Sequence, residues 1–526
     1  MKVLVADNLS NMGVDILKKE SGIEVDVNVG LPKEELIKII PSYEGLIVRS
    51  ATKVTADVIE AATNLKVIGR AGIGVDNIDV ATAGKNGIIV MNTPEGNIIT
   101  TAEHAMALML SMSRNIPQAR SMLRDQKVWA PKKFMGKELH SKTLGIVGLG
   151  RIGSIVANLA KGFGMKIVVY DPFISQEHAD KVGVETVELH DLLKRSDYIS
   201  LHTPSLDGKP LLDAKEFDIV KPGVRIVNCA RGNLINDEAL IDAIKSEKVA
   251  QAALDVYTKE PLSPDSPLLE LDEIICTPHL GASTEEAQEK VAIAVADQLI
   301  DFLKYGNIRN AVNMPSIDAD TLKKIQPYLK LGEDLGMFVS QLVDAPLTSV
   351  EVQYNGEVAE QRMDPITISV LKGLLSRTID GINMVNAPFI VKDRDIEVKE
   401  SKSSEVHEYT STIQVTAKTQ KGERSVTGSI FGKGDSRIVK FDEFHFEAVL
   451  SEHMLVLNNT DVPGVIGNLG NVLGTNNINI AGFHLGRIKE GDKAVAIINI
   501  DSPPTSETIR AIREIPSILN VHTVTL

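Results

Sequence analysis

The sequence predicts an α/β chain in which parallel sheets covered by helices are followed by two smaller mixed domains, and three observations predict it. A short apolar run, Leu144 to Val147, leads into Gly148, Gly150 and Gly153, a G-x-G-x-x-G turn suited to opening a helix. From Met1 to Ala282, apolar strand-like runs alternate with amphipathic segments. Residues 452 to 526 then read in the order strand, helix, strand, strand, helix, strand.

At 526 residues the chain has room for roughly three to five domains. Hydrophobic residues at 43% and charged residues at 24% suit a globular protein without a membrane span. A net charge of -14 disfavours general attraction to nucleic acid or anionic membranes, while leaving room for a local basic pocket. Cys229 and Cys276 supply neither a disulfide framework nor a metal-ligand cluster, so no metal is expected. Met1 to Asp7 reads as a first strand with no cleavable apolar segment, and the cytoplasm is the expected address.

In chain order, Val3 to Ala6, Leu46 to Val48, Val67 to Ile68 and Ile88 to Met91 are strands of a first parallel sheet. Two loops follow such strands: Arg49-Ser50-Ala51-Thr52, and Arg70-Ala71-Gly72-Ile73-Gly74-Val75-Asp76-Asn77. Ligands of open α/β sheets bind beyond the carboxyl ends of strands, so Arg49 and Arg70 can clamp an anion; equally, they can be surface arginines. Gly72 and Gly74 let backbone N–H groups converge on a carboxylate. Thr101 to Ser113 predicts a helix apolar or small on most faces, which must be covered on nearly every side, and a subunit interface is one way to cover it. His104 reads as a packed histidine rather than a catalyst.

The glycine turn is the most specific signal. Gly148 permits the tight turn, Gly150 lets a pyrophosphate approach the backbone, and Gly153 lets the helix pack closely. The helix leads to Met165–Tyr170, a second buried strand ending in Asp171. An acid about 20 residues beyond the turn accepts hydrogen bonds from the ribose hydroxyls of NAD and repels the extra phosphate of NADP. A glycine-rich turn without a ligand would not need the strand, helix and acid together.

Further strands, Tyr198 to His202, Val224 to Asn228, Ala252 to Val256 and Ile274 to Cys276, deliver Arg231, Glu260 and His279 to the same sheet edge. His279 can take the proton of a secondary alcohol as its hydride leaves, Glu260 can fix the imidazole tautomer, and Arg231 can grip a carboxylate. Such a set suits a 2-hydroxy acid. Individually, Glu260 can cap a turn before Pro261, and His279 can cap a helix starting near Ser283.

With Gly148 to Gly153, Asn228-Cys229-Ala230-Arg231-Gly232, Ala253-Leu254-Asp255-Val256, Glu260-Pro261 and Thr277-Pro278-His279-Leu280-Gly281-Ala282, the chain resembles the D-isomer-specific 2-hydroxyacid dehydrogenases over roughly its first 310 residues. The resemblance implies a substrate domain from residues 1–97 and 288–313, with an NAD-binding domain, 98–287, inserted in it. It implies NAD contacts at Arg151, Ile152, Asp171, Thr203, Cys229, Ala230, Arg231, Asp255, His279 and Gly281, besides the three motif glycines. Arg49, Ser50, Arg70, Gly72 and Asn97 would hold substrate. Family members often carry an arginine where Pro131 stands, two residues after Trp129, so Lys132 or Lys133 would have to replace it.

Residues 314–450 resemble the intervening domain of longer family members, and residues 451–526, with Asn459, Asp461 and Asn479, resemble an ACT regulatory domain that holds serine between paired copies. Together these imply NAD-dependent oxidation of D-3-phosphoglycerate to 3-phosphooxypyruvate in a serine-regulated homodimer or homotetramer that opens serine synthesis. The alternatives are another 2-hydroxy acid such as glycerate, or an NAD-sensing corepressor; corepressors lack an ACT module.

Overall fold

The computed structural model describes residues 1–205, 208–317, 319–404, 408–432 and 434–526. Among these residues the strands form four sheets. In the first, β1 (Lys2–Val5), β2 (Glu24–Val27), β3 (Gly45–Val48), β4 (Val67–Arg70) and β5 (Ile89–Asn92) lie parallel in the order β2-β1-β3-β4-β5. Strands β1, β3, β4 and β5 are buried runs rich in Val, Ile and Leu, as two-sided coverage requires. Glu24–Val27 alternates acid with valine and stays partly exposed, so its sequence carries no apolar run; as an edge strand it needs none.

The second sheet is also parallel: β6 (Thr143–Val147), β7 (Lys166–Tyr170), β8 (Glu185–Thr186), β9 (Tyr198–Leu201), β10 (Val224–Asn228), β11 (Val249–Leu254) and β12 (Ile274–Cys276) run in the order β12-β11-β10-β9-β6-β7-β8. The order reverses beside β6, so the glycine turn lies at the switch point where such sheets bind ligands. Within one chain the helix Ile98–Ser113 is covered on one side, while Ile99 and Ala107 stay exposed. Ala102, Ala105, Met109 and Met112 are fully buried in a core shared with Leu144, Ile146, Val156, Ala157 and Ala160 of the same chain.

The long helix Glu285–Tyr305 returns to the first sheet, where Ala292, Val295, Ala296 and Leu299 pack against Val3, Val5 and Val67. The chain therefore crosses twice between two sheets. Their carboxyl edges face one cleft.

The third sheet, β13 (Leu347–Gly356), β14 (Glu397–Ser403), β15 (Ser411–Thr419), β16 (Gly422–Phe431), β17 (Asp435–Phe441) and β18 (Phe444–Val449), is mostly antiparallel, in the order β14-β13-β15-β16-β17-β18. It packs on two helices, Ala319–Ser340 and Asp364–Leu375, around Phe338, Phe441 and Tyr354. The fourth, β19 (His453–Thr460), β20 (Ile480–Arg487), β21 (Lys493–Ile500) and β22 (Ile518–Thr525), has the order β20-β21-β19-β22 with helices Val465–Thr475 and Ser506–Arg513. That is the strand, helix, strand, strand, helix, strand order expected from the sequence. One face of this sheet, through Met454, Val456, Val495, Ile497 and Val524, joins the core of the third. No helix among the described residues is long and apolar enough to cross a membrane.

Candidate active site

The glycine turn has the geometry that its sequence calls for. Gly148 has φ +91°, a left-handed conformation that suits glycine, while a Cβ on Gly153 would collide with the Gly148 carbonyl oxygen. Around Gly150 nothing lies within 4 Å of an added Cβ. The helix Arg151–Gly162 starts there, with Arg151 exposed and Ile152 half-buried. At the end of β7, Asp171 accepts from the Leu149 N–H at 2.8 Å and the Phe173 N–H at 2.9 Å, which holds its carboxylate beside the turn. Thr203, Cys229 and Ala230 stand beyond the ends of β9 and β10. An open glycine face, helix N–H groups and a fixed acid fit a dinucleotide.

The reactive histidine sits on a loop pinned from below. Asp255, fully buried after β11, accepts from Thr277 Oγ1 at 2.6 Å, the Leu280 N–H at 2.7 Å and the Gly281 N–H at 2.8 Å. His104 adds Nε2 at 3.2 Å from the same carboxylate. Burial raises the Asp255 pKa, but the His104, Thr277 and backbone bonds outweigh it and hold the group below its ordinary value. Residues on both sides of His279 are thus fixed, and His279 itself takes φ +54°, an uncommon conformation for a non-glycine residue.

His104 therefore does more than pack: it contacts the acid that holds the loop carrying His279. Its helix gives no hint of this, because the contact joins residues distant in sequence. His104, Cys229 and Asp255 place potential ligand atoms within 4.8 Å of one another, a grouping that chain spacing conceals. Both Asp255 oxygens are already committed to the loop.

His279 Nδ1 lies 2.7 Å from Glu260 Oε2. This bond raises the His279 pKa, with burial opposing it. For Glu260, burial pushes upward, but the bonds to His279 and the Tyr257 N–H prevail, so the carboxyl lies below its usual range. Glu260 Oε1 also accepts from the Tyr257 N–H at 3.1 Å, beside the Oε2 contact to His279, so the turn-capping reading is met. The helix-capping reading of His279 is not: the next helix is capped by Thr284, whose hydroxyl accepts from the Ala287 N–H.

Arg49, Ser50, Arg70, Gly72 and Asn97 from one side, with Glu260 and His279 from the other, line a single cavity of about 720 Å³. Burial is the main cause lowering the Arg70 pKa to about 10, with Arg231 and Arg49 adding like charge; the guanidinium stays protonated at neutral pH. Its Nε and the Oδ1 of Asn97 are buried without partners. Arg231 is brought to the edge of this constellation rather than its centre. Its Nε lies 3.1 Å from Asp76 and its Nη1 donates to the Ala230 carbonyl at 2.7 Å, leaving Nη2 outside these bonds.

Lys53, Tyr257, Thr277 and Ser283 also line the cavity, though sequence reasoning did not single them out. Lys132 and Lys133, on the short turn Pro131–Phe134, and Trp129, 82% exposed, are not among the lining residues. In the fourth sheet, Asn459 and Asp461 line a cavity of about 50 Å³, with Asp461 3.1 Å from Arg487. Asn479 donates to Asp501 at the other end of that sheet, so one copy of the chain does not bring the three expected effector contacts together.

Three family models match: the D-isomer specific 2-hydroxyacid dehydrogenase NAD binding domain over residues 106–281, the D-3-phosphoglycerate dehydrogenase intervening domain over 324–442, and the ACT domain over 453–517. A D-3-phosphoglycerate dehydrogenase from Synechocystis sp. is 44% identical over 100% of this chain and 95% of its own length. One from Methanocaldococcus jannaschii is 44% identical over 100% of both. Among solved structures, a glyoxylate reductase from Paecilomyes thermophila aligns with TM-score 0.55 at 29% identity, covering 59% of this chain and 98% of that one. An NAD-dependent formate dehydrogenase from Staphylococcus aureus in complex with NAD aligns with TM-score 0.55 at 28% identity, covering 60% and 100%.

Proposed function

Since the chain belongs to the D-3-phosphoglycerate dehydrogenase family, we propose that it catalyses the NAD-dependent oxidation of D-3-phosphoglycerate to 3-phosphooxypyruvate, the step that opens serine synthesis. The observation that carries this reading is the single cavity in which the Glu260–His279 pair faces Arg49 and Arg70. NAD, when bound, supplies the hydride acceptor. Gly148, Gly150, Arg151, Ile152 and Gly153 would hold its pyrophosphate, Asp171 its ribose hydroxyls, and Thr203, Cys229, Ala230, Asp255 and Gly281 the remainder.

Proton movement falls to His279. Its Nε2 takes the C2 hydroxyl proton as the C2–H bond breaks and the carbonyl forms. Glu260 stabilises the imidazolium that results and holds Nδ1 as the donor. Arg231 grips the substrate carboxylate through its free Nη2, alongside the backbone at Gly72, and so sets the C2 hydroxyl toward His279. Arg49, Ser50 and Arg70 hold the far, phosphorylated end, and the Asn97 amide N–H donates to the bound acid.

The ACT module supports feedback by serine, held between two copies of the chain so that Asn459 and Asp461 of one meet Asn479 of the other. A homodimer or homotetramer is therefore the working assembly, and the cytoplasm its working compartment. The test is NADH formation from D-3-phosphoglycerate and NAD, with D-glycerate as control and L-serine added or withheld. Activity on the phosphorylated acid that serine suppresses is expected. No turnover of either acid would overturn the enzymatic reading, and activity indifferent to serine would overturn the regulatory one.

A further inference from the structure

Charge balance in the cavity points to a specific role for Lys53. The cavity is lined by Arg49, Lys53 and Arg70, and among the described residues none of the three is paired with a carboxylate. Among the described residues the Arg49 guanidinium donates only to the Asn8 carbonyl at 2.9 Å and that of Arg70 only to the Ala71 carbonyl at 3.4 Å, while the Lys53 ammonium is in no ion pair or hydrogen bond. The nearby acids are engaged elsewhere. Asp7 accepts from the Arg49 N–H, the Thr52 N–H and the Thr52 hydroxyl; Asp76 faces Arg231, and Glu260 faces His279. Three uncompensated cations remain to meet the phosphate dianion of phosphoglycerate, whose carboxylate falls to Arg231.

Lys53 is also held in place where a solvated surface lysine would not be. On its amino side, Thr52 is fixed by Asp7 and by the Asn77 amide, which donates to the Thr52 carbonyl at 2.7 Å. On its carboxyl side, Val54 is fully buried, donates its N–H to the Asn77 carbonyl at 2.8 Å and accepts from the Asp79 N–H at 2.9 Å. The backbone of an exposed side chain is thereby clamped at both neighbours. An ammonium on a rigid base suits the outer oxygens of a terminal phosphate at the rim, and the buried, planar Arg70 suits its deeper oxygens.

We propose that Lys53 is a specificity-determining residue: its ammonium binds the phosphoryl group of the substrate, the contact that neither Lys132 nor Lys133 reaches within one chain. The proposal rests on the phosphoglycerate reading above and deepens it. Its test is steady-state kinetics of the full chain and its Lys53→Met and Lys53→Arg variants, with inorganic phosphate as a competitive probe and NADH binding by fluorescence titration.

Loss of one charge-assisted phosphate contact should raise KM for D-3-phosphoglycerate about tenfold in Lys53→Met and weaken phosphate inhibition in parallel. Turnover number and NADH affinity should stay within about twofold, and Lys53→Arg should restore most of the loss. An unchanged KM and phosphate inhibition in Lys53→Met would overturn the role of Lys53, and so would an NADH affinity that falls in step with KM. A wild-type chain with no activity on D-3-phosphoglycerate would instead overturn the parent reading, a result independent of either variant.

Discussion

At the residue scale the chemistry rests on the 2.7 Å bond between His279 and Glu260. Because that bond raises the His279 pKa, the neutral imidazole required for alcohol oxidation becomes dominant at a higher pH than for an ordinary histidine. Oxidation should therefore rise with pH through this raised value. Glu260→Gln removes the cause, so the acidic limb should move to lower pH while turnover falls about 10–100-fold; a limb that stays put in pH-rate profiles would contradict the assignment. His279→Gln should reduce turnover by about 10²–10⁴-fold and leave NADH binding intact, as fluorescence titration can check. Both residues were legible in the sequence because each follows a strand, and strand ends converge. The contact of His104 with Asp255 was not, since nothing local links a mid-helix histidine to an acid that follows it by so many residues.

At the element scale, the loop after β3 is set by one buried acid. Asp7, 3% exposed at the end of β1, accepts from the Arg49 N–H at 2.6 Å and from the Thr52 N–H at 3.1 Å. Asp7→Ala leaves those donors unsatisfied, at a cost of about 1–3 kcal/mol, and frees the segment that carries Arg49, Ser50 and Lys53. KM for the phosphorylated acid should rise more than NADH affinity falls, and thermal unfolding should begin earlier; a variant with unaltered KM would show that the loop holds itself. The strands β3 and β4 that aim these loops could be read from their apolar runs. The edge strand β2 could not, and neither could the helices Ala319–Ser340, which contains Pro327, and Asp364–Leu375, which is buried on nearly every face and so shows little helical periodicity.

At the scale of the whole molecule, the intervening domain docks on the first sheet near the start of β5. Asn383 donates to the Gly87 carbonyl at 3.1 Å, Lys85 lies 2.7 Å from Asp393, Val385 joins the core of the first sheet, and Phe389 packs on Gly84. The helix Val80–Lys85 at this contact directly follows the loop carrying Gly72 and Asp76. Any effect of serine on the distant ACT pair has a physical route there. The double variant Asn383→Ala, Phe389→Ala should retain uninhibited turnover but weaken serine suppression by about fivefold or more. Suppression of wild-type strength in inhibition assays would remove this contact from the route. What the sequence alone determined is local: strand and helix order, the glycine turn, Asp171, and the identities of Arg231, Glu260 and His279, because backbone conformation and side-chain chemistry are encoded in short spans. Only the tertiary structure decided which charges remain unpaired. That depends on distant acids: Asp76 takes Arg231, Asp7 takes the loop backbone, and Arg49, Lys53 and Arg70 are left facing the cleft.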